Sequence, residues 1–332
     1  LTVSSRAKYL LSFAAGIILA LAVWELALRF VRDKPVPNAI FTQSIVDSKL
    51  RAAERKTMAP KAVFVGGSNV LFGIDSEQFT RETHYPSLNF GCASGMGPEL
   101  ILDLLLPYLN KGDLVVLHWE YGHYGFTRSG SVDLTYLNLL SGPQASFKDR
   151  LPWLDRRLLS LAVPFSQLRS SIETSINPYV DSGIYSCAWV IDDGGNVRSN
   201  IGRTITKEEL SERSLSSLVS ELEISSDAGN IFVDFVRQCC DRGIRVIASW
   251  PNLYAHPDYF GNEVVDGNLL EIRGFWESLG VPVVGDPRDS MLAAEFFYDT
   301  SYHLNAKGVS LRTRRLGEAL GPWIGQELKD SP

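Results

Sequence analysis

The sequence predicts an α/β fold, a parallel sheet sandwiched by helices. Short, continuous apolar runs bounded by turn residues recur along the chain, as in strands buried on both faces. Segments of helical periodicity separate them, the alternation of a parallel sheet. The first run, Val63-Phe64-Val65, ends in Gly66-Gly67-Ser68, a tight turn at the strand end, where ligands sit in such sheets. With 332 residues, 45% of them hydrophobic, the chain can bury a sizeable core.

In chain order, the first element is membrane-like. Residues 9–30 read YLLSFAAGIILALAVWELALRF, with Glu25 the only acid. About 20 helical residues cross a bilayer core, so residues 1–32 are expected to form an N-terminal transmembrane anchor. Arg6 and Lys8 precede the run and favour a cytoplasmic N-terminus, which puts the rest on the periplasmic or extracytoplasmic side. Ala20-Leu21-Ala22 leaves a cleaved signal peptide open, although the apolar run continues beyond it. Residues 33–60 are polar with scattered prolines and read as a linker plus a short helix.

An α/β domain is expected over 61–325. Its strands are read at Ala62–Val65, Leu88–Phe90, Leu114–His118, Arg245–Trp250 and Val281–Val284. A helix over Ser76–Glu82 has Asp75 as its cap. Another over Pro98–Leu109 starts with proline and carries Ile101, Leu102, Leu105 and Leu109 on one face. A third over Ala228–Arg242 has Ile231, Phe232, Phe235 and Val236 at helical spacing, and a terminal helix spans Val309–Leu320. From about 126 to 226 the alternation breaks, and Gly142-Pro143, Asn177-Pro178 and Gly194-Gly195 interrupt it. This reads as a large insertion, a lid or partner surface, whose Trp153, Tyr179, Tyr185 and Trp189 suit either core packing or sugar stacking.

A formal charge of -6, with no basic stripe, excludes a nucleic-acid footprint. The four cysteines match no metal motif. Cys239 and Cys240 are adjacent in a helix; Cys92 and Cys187 are free to pair in an oxidising compartment, or all four are buried thiols.

The chemistry is expected at two distant segments, residues 63–69 and 299–305. A serine hydroxyl is a weak nucleophile until a base takes its proton. Gly66 and Gly67 allow the turn that presents Ser68 and turn its amide toward a reacting oxygen. Only five histidines occur, and His303, with Asp299 nearby to orient it, supplies the acid–base pair of a Ser…Asp…His order. A phosphate loop is the rival, but neither G-x-G-x-x-G nor G-x-x-x-x-G-K-[ST] is present. The combination points to acyl transfer. Glu120, at the end of the third strand, faces the same cleft, as a sugar-hydroxyl ligand, a partner of His118 or His123, or a solvated acid. Asn252, after the fourth strand, is a candidate substrate contact on the same rim.

Together the segments resemble the SGNH/GDSL hydrolase superfamily, whose fold is a flavodoxin-like parallel sheet between helices. Residues 63–69 match its serine block, Asn89-Phe90-Gly91 its glycine block and Asp299–Gly308 its terminal block. The resemblance implies Ser68 as nucleophile, His303 as general base and then acid, Asp299 as its orienting acid, and the amides of Ser68 and Gly91 as oxyanion donors. It departs in two places. The third block should offer an asparagine, but the chain reads His118-Trp119-Glu120-Tyr121, so Asn69 is considered as a stand-in donor. The usual Asp-x-x-His is also one residue longer here. That spacing and the Glu120-Tyr121 pair are similar to membrane-anchored, cell-envelope members such as alginate O-acetyltransferase-like and D-alanine transfer proteins.

The resemblance therefore implies a membrane-anchored esterase or O-acyltransferase acting on acylated glycans or other esters of the cell envelope or exopolysaccharide. It needs no metal or diffusible cofactor, and it leaves room for a membrane partner that supplies the acyl donor. A non-catalytic glycan-binding or polysaccharide assembly protein on the same scaffold is the alternative, favoured by the missing asparagine. A nucleotide-binding protein is disfavoured by the absent fingerprint.

Overall fold

The computed structural model describes residues 5–32, 37–56, 60–128, 165–176, 191–198, 204–213 and 215–324. Helix α1 (Ser5–Arg32) is solvent-facing and apolar through its first turns, and Ser5–Phe30 is long and apolar enough to cross a membrane. Its last turns differ: Leu28 is buried in the domain core and Trp24 packs against that core. Helix α2 (Pro37–Arg55) occupies most of the expected linker and is longer than the short helix foreseen there. Its Ile45, Val46, Lys49, Ala52 and Ala53 are buried.

The half of the domain that carries Ser68 follows. Strand β1 (Ala62–Gly66) leads into a single helical turn, α3 (Ser68–Leu71), and then α4 (Ser76–Thr83), where Asp75 accepts from the amides of Glu77 and Gln78. Strand β2 (Ser87–Gly91) leads to α5 (Gly97–Leu105), which the pattern had extended to Leu109; residues 106–108 instead tighten into a 3₁₀ turn at Pro107. Strand β3 (Leu114–His118) follows. Within the insertion lie α6 (Phe165–Ile176) and α7 (Lys207–Ser211), and α8 (Ser226–Asp241) follows it. Strands β4 (Arg245–Ser249) and β5 (Leu253–Tyr254) precede α9 (Glu263–Ser278), and β6 (Val283–Val284) and β7 (Met291–Leu292) precede α10 (Ala306–Leu320).

The main sheet is parallel, in the order β2-β1-β3-β4-β6, and β5 pairs with β7 in a small second sheet. The order reverses between β1 and β3, the crevice where doubly wound sheets bind ligands. Alternation along each strand divides the core. Val63, Val65, Leu88, Phe90, Val115 and Leu117 join the core that also holds buried residues of α2, α5, α8 and α9. Ala62, Phe64, Leu114 and Val116 face Phe79 of α4 and Leu316 and Leu320 of α10. Part of the insertion, 191–198, closes on α4: Arg198 pairs with Asp75 at 2.6 Å and Glu77 at 2.9 Å. The aromatics Trp153, Tyr179, Tyr185 and Trp189 lie outside the described residues, as does Cys187; Cys92 is a buried free thiol.

Candidate active site

The parallel register creates the site. Gly66 of β1 pairs with His118 of β3, so the chain two residues beyond each strand carries Ser68 opposite Glu120. The Ser68 hydroxyl donates to Glu120 Oε1 at 2.9 Å and lies 3.3 Å from Ser94 Oγ. Glu120 Oε1 also accepts from the Asn69 amide at 2.8 Å and from Asn69 Nδ2 at 3.4 Å. Glycine at 67 is required by this closeness. A Cβ there would lie 2.8 Å from both Glu120 Oε1 and His123 Cε1.

The second half comes from the C-terminal segment. His303 Nδ1 donates to Asp299 Oδ1 at 2.8 Å; a carboxylate offers only an acceptor, which keeps a proton on Nδ1 and leaves Nε2 as the nitrogen free to exchange one. Both side chains are buried. The Thr300 hydroxyl accepts from the amides of Tyr302 and His303 and so shapes the turn. The His303 ring lies over Phe72, with centroids 4.2 Å apart. Phe72 closes the helical turn that Ser68 opens, its amide donating to the Ser68 carbonyl at 2.9 Å. The imidazole thus packs on the residue one helical turn beyond the serine. Among the described residues no hydrogen bond joins Ser68 to His303; the serine proton is directed to Glu120.

The expected oxyanion donors fare differently. Among the described residues the Ser68 amide has no hydrogen-bond partner. The Gly91 amide donates to Asn89 Oδ1 at 2.9 Å, and Gly91 is buried against the Leu71 backbone, so it faces no cleft in this structure. Asn69 is fully buried, with its amide held by Glu120 and its Nδ2 by His118 O at 2.9 Å, so it is no stand-in donor. Among the described residues the amides of Ser94 and Gly95, in the loop that brings Ser94 Oγ to Ser68, also have no hydrogen-bond partner. A serine–glycine pair just beyond the second strand was the sequence signal for them.

Asn252 is also displaced from its expected place. It is fully buried, not on an open rim, and its Nδ2 donates to the Tyr302 carbonyl. It thereby holds the turn that carries His303. Among the described residues the Glu120 carboxylate hydrogen-bonds neither expected histidine; only its carbonyl accepts from the His123 amide. His118 points away from the cleft, with Arg312 3.2 Å from its Nδ1, and burial drives its imidazole well below the usual range. His123 Nε2 bonds to Ser94 O at 3.0 Å. Burial, and then the Glu120 carboxylate, push the Tyr302 hydroxyl well up, which keeps it a proton donor beside the cleft. A cavity of about 370 Å³ beyond β3, β4 and β6 is lined by His118, Trp250 and Arg312 and contains neither Ser68 nor His303.

Among the described residues no group of three or more His, Cys, Asp or Glu side chains is arranged to hold a metal ion. No protein-family profile matches the chain, and no curated protein sequence matches it. The crystal structure of the protein YxiM from Bacillus subtilis is similar, with a TM-score of 0.36, 12% identity and 80% of this chain covered. The chain spans only 57% of that protein's length.

Proposed function

We propose that this chain is an SGNH-like serine ester hydrolase or O-acyltransferase, held at a membrane by α1 with its domain on the periplasmic or extracytoplasmic side. The observation that carries the reading is a buried Asp299–His303 pair whose imidazole packs on Phe72, the residue that closes the helical turn opened by Ser68 after β1. Ser68 Oγ attacks an ester carbonyl and forms an acyl-enzyme, while the Ser68 amide, aided by those of Ser94 and Gly95, receives the oxyanion. His303, oriented by Asp299, handles the proton of the leaving alcohol and then that of the acceptor. Water as acceptor makes an esterase, and a glycan hydroxyl makes an acyltransferase. The motif resemblance favours acyl esters of the cell envelope or an exopolysaccharide as substrates, and the transferase form would draw its acyl group from a membrane partner. No metal or diffusible cofactor is required by this chemistry.

The test is hydrolysis of a chromogenic acetyl ester by the detergent-solubilised chain. Ser68→Ala is expected to lower the rate by about 10³-fold or more with the melting temperature unchanged. Equal turnover by wild type and Ser68→Ala would remove the nucleophile from the account. A second reading, a non-catalytic glycan-binding protein, is favoured by the absent Ser68–His303 hydrogen bond. It predicts glycan binding that survives Ser68→Ala, without turnover.

A further inference from the structure

We propose that Glu120 is the base that takes the Ser68 proton in the attack step, leaving His303 to serve the leaving and accepting oxygens. The inference rests on the serine-enzyme reading and divides between two residues a task usually given to one. Among the described residues two side chains hydrogen-bond Ser68 Oγ, Glu120 Oε1 at 2.9 Å and Ser94 Oγ at 3.3 Å, and of these the carboxylate is the base.

The contact is built into the fold. The β1–β3 register sets the two residues opposite each other. Two donors of Asn69 fix Oε1 in place, at 2.8 and 3.4 Å. The bare Cα of Gly67 makes room for it. The carbonyl of Glu120 accepts from the His123 amide at 2.8 Å, which pins the backbone on the other side. Among the described residues no lysine, arginine or histidine forms an ion pair with this carboxylate, although its residue is only 8% exposed. Its hydrogen bonds therefore all come from the nucleophile and the residue after it.

The cycle balances. Glu120 starts ionised and His303 starts with both ring nitrogens protonated. As Ser68 Oγ bonds to the acyl carbon, its proton passes to Glu120 Oε1. As the ester C–O bond breaks, the leaving alkoxide takes the proton from His303 Nε2. In the second half, water or a glycan hydroxyl gives its proton to Nε2 while its oxygen attacks the acyl carbon. The departing Ser68 Oγ then recovers its proton from Glu120, and both groups return to their starting forms.

The test is the rate at which a fluorophosphonate labels Ser68, read by intact mass and peptide mapping on the detergent-solubilised full chain. The fluoride leaving group needs no proton from His303, so labelling isolates the attack step. Glu120→Gln keeps an oxygen that can accept the same three hydrogen bonds but cannot take the proton. Its labelling is expected to be about 10²-fold slower or worse, the typical worth of a general base. His303→Ala is expected to label within about tenfold of wild type while losing ester turnover. Glu120→Asp, which keeps the carboxylate, is expected to recover part of the rate.

Labelling of Glu120→Gln within about threefold of wild type, or loss of labelling in His303→Ala, overturns the assignment and returns the base to His303. If Glu120→Gln fails to fold, the His303→Ala and Glu120→Asp rates decide by the same criteria. Wild type that never labels at Ser68 overturns the serine-enzyme reading as well, so the two failures are distinct.

Discussion

Ser68 shows how little would separate a nucleophile from an inert turn serine. Its hydroxyl is one of many in the chain, and its neighbours distinguish it: a carboxylate at 2.9 Å, an amide of its own without a partner among the described residues, and Phe72, one turn on, against which the His303 imidazole packs. The glycine partners are equally specific. A Cβ on Gly91 would lie 2.1 Å from the Leu71 amide nitrogen, a backbone atom that cannot swing aside. Gly91→Ala is therefore expected to push α3 off β2. By analogy with overpacked cores it should cost about 1–3 kcal/mol, measured as a fall in denaturation midpoint. An unchanged midpoint would mean that α3 is not held where the structure puts it. The residue-level reading of the sequence reached Ser68 after β1 and the hydrogen-bonded Asp299–His303 pair because a strand–turn–serine and an Asp/His segment are local patterns. It failed for Gly91, Asn69 and Asn252 because an amide's availability depends on distant partners. Asn89 takes the Gly91 amide, Glu120 and His118 take the Asn69 donors, and Tyr302 takes the Asn252 amide group.

At the scale of elements, α2 is the one that composition misjudged. Its polar surface suggested a linker, yet it buries Lys49 completely. The Lys49 ammonium donates to the Asn89 carbonyl and Asn89 Oδ1, each at 3.0 Å, and to the Gly195 carbonyl. Asn89 in turn donates to the carbonyls of Val70 and Ile74 on either side of the α3 end. One lysine thus joins α2, β2, the insertion and the nucleophile turn. Burial is the main cause that lowers its pKa from 10.5 to about 7. Between those values the unfolded chain holds a proton that the folded chain has released, so this group makes stability rise with pH. Urea unfolding in detergent at pH about 7 and about 9.5 should show a stability gain in wild type that Lys49→Met lacks. Parallel changes in the two proteins would contradict the burial of a neutral amine. A polar-looking segment with one buried lysine carries no local mark of that burial, which is why its sequence pattern misled.

For the molecule as a whole, the parallel sheet and its helices were legible because every main strand is a short apolar run with turn residues at its ends. Register was not. The pairing of Gly66 with His118, which sets Ser68 against Glu120, is a relation between segments some fifty residues apart in sequence, and no motif spans it. A helix long and apolar enough to cross a membrane was legible in the sequence, but its last turns are shared with the domain, where Leu28 joins the core. The α1 helix therefore runs from a membrane-suited surface directly into the protein interior. Two ends of one sheet rim, supplied by residues 63–69 and 299–305, remain the centre of the account. Its most direct test is where a serine-directed phosphonate attaches to the intact chain. The account predicts a single adduct, mapped to the peptide containing Ser68 and absent from Ser68→Ala. An adduct on a different serine, or none on wild type, would contradict it.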